Sequence, residues 1–176
     1  MGYIGTPDPT TEALTTISLL HHEAHAGNFF RCFVEAAALG AAGTLVAAFK
    51  TPTGNKFGHM GISFDVKVDG YVDLIEGPTW DNQSGTLAPI YNRRRASTNA
   101  SVMLEDQGQL TFIASGNLNK DPTTLAGGTA IRIGRLWSAG VKVGQSRQAG
   151  GEWILDSDTQ YDVRLTAVSA ENGGTL

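Results

Sequence analysis

The 176-residue chain has a single cysteine, Cys32, so no intrachain disulfide can staple the fold. Long apolar runs are also missing; none approaches the roughly 18 residues a membrane helix needs. The start, MGYIGTPDPTTEALTT, lacks a basic segment followed by an apolar run, so neither a secretion signal nor a membrane span is expected. Charged residues make up only 17% and leave a formal net charge of −4, which gives no general attraction to nucleic acid or to an anionic membrane. There is no GxSxG, no GxxxxGK[ST], and no GxGxxG behind a strand, so the common signatures of serine hydrolases, P-loop enzymes and dinucleotide-binding enzymes are absent. No repeat of 20 to 50 residues sets up a solenoid or propeller. What is abundant is glycine, 22 residues, within a chain that is 41% hydrophobic. That is the composition of a globular, turn-rich domain.

Residues 1–16 contain little to bury and read as an extended N-terminal arm, with Tyr3, Ile4 and Pro7 as its expected contact residues. Residues 17–176 read as one β-sandwich domain. Strand-like runs occur at 28–34, 44–49, 57–68, 71–76, 86–91, 100–105, 109–115, 129–133, 151–155 and 160–168. Turn chemistry separates them, including the Gly-Gly pairs at 127–128 and 150–151. The run ISFDVKVDGYVDLIE (62–76) alternates on both sides of Asp69-Gly70 and predicts a β-hairpin. The segment 34–42 is alanine-rich but too short for a helix unaided, and reads as a single turn or an irregular crossover. Many short strands and glycine turns predict an all-β, antiparallel sandwich. Near the end, Asn172-Gly173-Gly174-Thr175 resembles a turn entering a strand.

HHEAHAG (21–27) gathers three of the four histidines and a glutamate. It is not the HExxH of zinc proteases, and Gly27 with the aromatic residues behind it favours an extended chain. His21 and His25 have the i, i+4 spacing of one helical face, but in a strand they stand about 13 Å apart, too far to share one metal ion, and further ligands are scarce. No metal and no cofactor is therefore expected; His21 and His25 are expected to meet a neighbouring strand or subunit. Asp65, Asp69, Asp73 and Glu76 have the spacing of a solvated strand face, which also suits a sugar cleft. Arg93, Arg94 and Arg95 form the one concentrated basic patch, suited to carboxylates or phosphate on another subunit, or simply a solvated loop. Cys32, amid Phe29, Phe30 and Phe33, reads as a small core residue, and Trp153 as core. No catalytic group is identified. Trp80 and Tyr91, if exposed on loops, favour an alternative: a receptor- or carbohydrate-binding domain.

The ordered set HHEAHAGNFF (21–30), YVDLIEGPTW (71–80), PIYNRRR (89–95) and GVKVGQSRQAGGEWILDSDTQYDVRLT (140–166) resembles a family of small virion structural proteins of tailed DNA bacteriophages, several of which are capsid decoration or cement proteins. The resemblance covers roughly residues 20 to 168. It implies a β-sandwich, often jelly-roll-like, on the outer surface of an icosahedral capsid, made in the host cytoplasm. Its partner is the phage major capsid protein, and it is frequently a homotrimer. It brings no catalytic residues. Its members continue past the end of this chain with another strand, so a final C-terminal strand is expected here to be missing or supplied differently. No nucleic-acid or membrane partner is expected, and the alternative is a receptor- or carbohydrate-binding domain of a phage fibre or tail.

Overall fold

In the computed structural model the described residues are 19–55, 57–66, 68–81, 84–103, 118–136, 147–168 and 174–175. The arm at 1–16, with Tyr3, Ile4 and Pro7, and the strand-like run at 109–115 lie outside them. The all-β expectation holds. Beside one helix, α1 (Leu19–Ala26), the described regular elements are strands: β1 (Phe30–Cys32), β2 (Glu35–Ala36), β3 (Thr44–Lys50), β4 (Gly58–Val66), β5 (Gly70–Thr79), β6 (Thr86–Ala88), β7 (Ile90–Asn92), β8 (Leu118–Lys120), β9 (Ala126–Leu136), β10 (Arg147–Leu155), β11 (Gln160–Ala167) and β12 (Gly174–Thr175). Strands β6 and β7 are separated by Pro89, which has no N–H to give to a ladder. The segment 34–42 is irregular, as expected, with only β2 and a turn.

Two compact units result. The smaller comprises the chain up to Arg31 together with Tyr91–Ser101, and the larger comprises Cys32–Ile90 and Val102–Leu176. In the larger unit one sheet runs β10-β4-β12-β2 and the other β6-β8-β3-β11-β5-β9, with every neighbouring pair antiparallel. Gly174-Thr175 do enter a strand, lying between Glu35-Ala36 and Asp65-Val66.

The predicted hairpin is not formed. Although β4 and β5 are consecutive, they belong to different sheets, and Asp69-Gly70 carries the chain from one to the other. The Asp69 carbonyl accepts from Val168 N–H at 2.7 Å, which ties this crossing to the end of β11. Period-2 alternation identifies which face of a strand is apolar, but not which strand lies beside it. Ile62 and Phe64 of β4 and Val72 and Leu74 of β5 satisfy the same pattern by meeting within one core. The Gly-Gly pairs are a second correction. Gly127-Gly128 lie inside β9, and Gly150-Gly151 fall where the β10 ladder to β4 jumps from Gln148 to Glu152. They are irregularities within strands, not turns between them.

Both sheets contribute to the core. Leu45, Ala47 and Phe49 of β3, Val72 and Leu74 of β5, and Tyr161, Val163 and Leu165 of β11 join Ile62 and Phe64 of β4 and Leu155 of β10. The Phe49 and Tyr161 rings stack at 5.9 Å. Cys32 and Trp153 are partly buried against this cluster. One close approach fixes the spacing of the sheets. A β-bulge in β9 sets Val72 opposite Gly134 and Asp73 opposite Arg132, leaving Ile133 extra, and Phe64 lies directly against Gly134. A Cβ there would fall 2.8 Å from Phe64 Cε1, so only glycine admits the ring.

The six-stranded sheet is also buried on part of its other face. There Val46 and Ala48 pack under Trp80 and Leu125. Asp121, at the end of β8, imitates a strand partner for β3: its Oδ1 accepts from Val46 N–H at 2.7 Å, and its own N–H donates to the Val46 carbonyl at 3.0 Å.

Candidate protein-interaction site

The smaller unit is built around the end of α1. Two hydrogen bonds stop the helix in a Schellman arrangement: Asn28 N–H donates to the Glu23 carbonyl at 3.0 Å, and Gly27 N–H to the Ala24 carbonyl at 3.2 Å. Gly27 has φ +80°, a conformation that any side chain would strain, and Ser97 Oγ lies 2.5 Å from where a Cβ would sit. HHEAHAG is therefore helical, and the extended reading is corrected. Gly27, taken as a sign of extended chain, is instead the helix stop.

The termination leaves carbonyls at the helix end that need donors. The loop after β7 supplies them. Arg94 Nη1 donates to the His25 carbonyl at 2.7 Å, and Asn92 Nδ2 to the Gly27 carbonyl at 2.8 Å. A cation at this end also opposes the helix dipole favourably. The loop is itself shaped by Asn92, whose Oδ1 accepts from Arg94 N–H at 2.9 Å, and by a turn in which Ser97 N–H donates to the Arg94 carbonyl at 2.9 Å. Arg93 N–H donates to the Phe29 carbonyl at 2.8 Å.

Side chains of the two segments then sort into distinct roles. The Arg93 guanidinium lies over the Phe29 ring at 4.6 Å, and Arg95 lies over Tyr91 at 6.0 Å. All three arginines are exposed, as is Tyr91 at 54%. On the helix, Glu23 accepts from Asn28 Nδ2 at 3.2 Å and its Oε1 lies 3.3 Å from His22 Nδ1. The Asn28 hydrogen bond, and after it His22, hold the Glu23 carboxyl below its ordinary pKa. Of the expected interface residues, His21, His25, Arg93, Arg94 and Arg95 thus all belong to this one unit. His25 takes part through its carbonyl. The sequence alone assigns no interface role to Phe29 or Asn92; the Asn immediately before the arginines is the available sign of a turn.

Among the described residues, no group of three or more His, Cys, Asp or Glu is placed to hold a metal ion. His59, far from the cluster in sequence, has its Nδ1 3.2 Å from Glu152 Oε1 in the larger unit. Burial pushes the Cys32 thiol up to about 11, and its Sγ–H points to the Ala88 carbonyl at 3.7 Å. At neutral pH it is a protonated, weakly nucleophilic thiol.

A second polar cluster lies in the larger unit, on the six-stranded sheet's face opposite the shared core. One row across the ladders runs Val46, Arg164, Asp73, Arg132. Arg132 Nε donates to Asp73 Oδ1, and its guanidinium lies 3.7 Å from the Tyr71 ring centroid. Arg164 Nη2 donates to Asp162 Oδ2 at 2.8 Å. Asp162 is fully buried, and burial, followed in smaller part by Asp73, raises its pKa against the opposing pull of Arg164. Asp73 is buried and so departs from the solvated row, whereas Glu76 is exposed and its Oε1 accepts from Tyr161 Oη at 2.8 Å. Of the four carboxylates of the predicted hairpin, Asp65 lies in the four-stranded sheet, Asp69 in the crossing, and Asp73 and Glu76 in the six-stranded sheet, so they do not form one strand face.

Trp80 is buried, 7% exposed, beneath the loop that covers β3. This corrects the expectation on which sugar stacking by Trp80 and Tyr91 together depended. Among the described residues no helix is long and apolar enough to cross a membrane. Comparison with family models, with curated proteins and with solved structures gives no match.

Proposed function

We propose that the chain is a structural virion protein that decorates an icosahedral phage capsid, binding the outer surface of major capsid protein subunits through its smaller unit. One observation carries this reading. HHEAHAGNFF and YNRRR, two segments on which the resemblance to decoration proteins rests, are knitted into a single unit that presents ordered, exposed arginines. Arginine and tyrosine are residues that concentrate binding energy at protein interfaces. The larger unit, two antiparallel sheets over one core, is the scaffold, read here as a jelly-roll-like sandwich.

The mechanism is mass action. A subunit that binds the assembled shell but not its separated proteins stabilises the shell by its own binding free energy. Assembly as a homotrimer adds avidity, and the arm at 1–16 adds contact along a neighbour. Cryo-EM of the parent particle tests the proposal: chain density is expected on the outer shell, at symmetry-related positions. Density confined to the tail would refute it and favour a fibre role. Burial of Trp80 takes away one of the two rings on which the carbohydrate-binding alternative rests, while Tyr91 stays exposed.

A further inference from the structure

We infer that Arg93 and Arg95 form a docking edge for carboxylates, so that the partner meets the smaller unit with an acidic protein surface. The inference deepens the interface reading above by naming the partner's chemistry. Its first ground is pre-organisation. A guanidinium lying over an aromatic ring keeps its N–H edge directed outward while the ring restrains the long side chain. Arg93 over Phe29 and Arg95 over Tyr91 are held in this way and remain exposed. The rotamer freedom that binding would otherwise remove is already restricted.

The second ground is the division of labour in the loop. Arg94 is engaged by the His25 carbonyl and anchors the turn, which leaves the arginines on either side to meet a ligand. The third is charge. Residues 1–31 and 91–101 carry four arginines against three carboxylates, whereas the remainder of the chain has nine basic residues against fourteen acidic. The arginines are a local positive site on an acidic protein. Nucleic acid would call for a different layout, because its affinity grows with the number of phosphates neutralised along a track. Here the sequence of the unit offers only one further lysine or arginine, Arg31. Two planar forks match a small number of carboxylates, each able to accept a bidentate pair.

The test uses the full chain and two fluorescent probes of equal charge, a peptide of alternating Asp and Glu and an oligothymidylate, followed by anisotropy at low ionic strength. The wild type is expected to bind the peptide more tightly than the oligonucleotide. The double variant Arg93→Lys/Arg95→Lys keeps the charge but loses the fork, and is expected to lose tenfold or more in peptide affinity, with native hydrogen exchange in α1 unchanged. Equal peptide binding by the lysine variant, tighter binding of the oligonucleotide, or no peptide binding by the wild type would each overturn the inference. The capsid is not involved in this assay. A chain absent from the shell that still binds the peptide through these arginines refutes the capsid role alone, and the reverse pattern refutes the carboxylate edge alone.

Discussion

Replacing Gly134 with alanine is expected to loosen the larger unit by forcing a methyl group into the ring of Phe64. The added Cβ would fall 2.8 Å from Phe64 Cε1, closer than real Cβ contacts come, and Phe64 is itself only 2% exposed. Because Phe64 is buried, relief requires either a shifted Phe64 ring or movement of β9 away from β4. Overpacking of this kind costs about 1–3 kcal/mol. For a chain of this length that corresponds to a fall in Tm of about 2–4 °C per kcal/mol. Phe64→Leu alone also destabilises, by about 1–2 kcal/mol, less than the roughly 3–5 of full truncation to alanine. The informative variant carries both changes. Leucine withdraws the far atoms of the ring, making room for the methyl, so the double variant should fall short of the summed costs by about 1 kcal/mol. Urea unfolding followed by tryptophan fluorescence, with the m-value checked for constancy, reads all three. Additivity within about 0.5 kcal/mol would refute the packing of β4 over β9, since independent sites add to that precision. So would a Gly134→Ala variant as stable as the wild type.

Three further outcomes follow from individual contacts. Gly27→Ala should cost about 1–2 kcal/mol at the helix stop for its left-handed backbone alone, and more from the clash with Ser97; faster proteolysis and hydrogen exchange around residues 19–31 and 91–99 would report it, and unchanged protection there would refute the Schellman reading. Asp121→Ala strands the buried Val46 N–H and should cost about 1–3 kcal/mol in urea unfolding, whereas Asp121→Asn keeps an acceptor oxygen and tolerates the φ of +50°, so an Asn variant as damaged as Ala would show that the hydrogen bond is not what matters. Burial, followed by the Glu76 hydrogen bond, pushes the Tyr161 hydroxyl from 10.0 up to about 12, so the fold favours the neutral phenol. Its contribution is complete below about pH 10 and is lost as pH climbs through 12; a stability–pH curve should show this alkaline decline, and Tyr161→Phe should flatten it.

Legibility followed the range of the interaction. Strands β4 and β5 could be read from the alternation of residues such as Ile62, Phe64, Val72 and Leu74, and β3 and β11 from short apolar runs between turns, because each strand carries its own pattern. Their neighbours could not. The alternation about Asp69-Gly70 is satisfied equally by a hairpin and by two strands facing one another across a core, and it is the second that buries Phe64 against Gly134. Asp73 looked solvated because its partner, Arg132, comes from β9 through a register that a bulge at Ile133 shifts by one residue. The helix was missed for a different, local reason. Gly27-Asn28 is a regular helix-stop signature, but the aromatic residues that follow it carry the stronger pattern of a strand. Once the stop is recognised, the position of the arginine loop becomes a matter of hydrogen-bond accounting. A helix ending at Ala26 leaves carbonyls without internal partners, and the donors that meet them must come from elsewhere. Arg94 and Asn92, more than sixty residues downstream, are those donors. The same demand that terminates the helix therefore brings the histidine and arginine segments into one unit, leaving Arg93 and Arg95 free to lie on their aromatic rings and face outward.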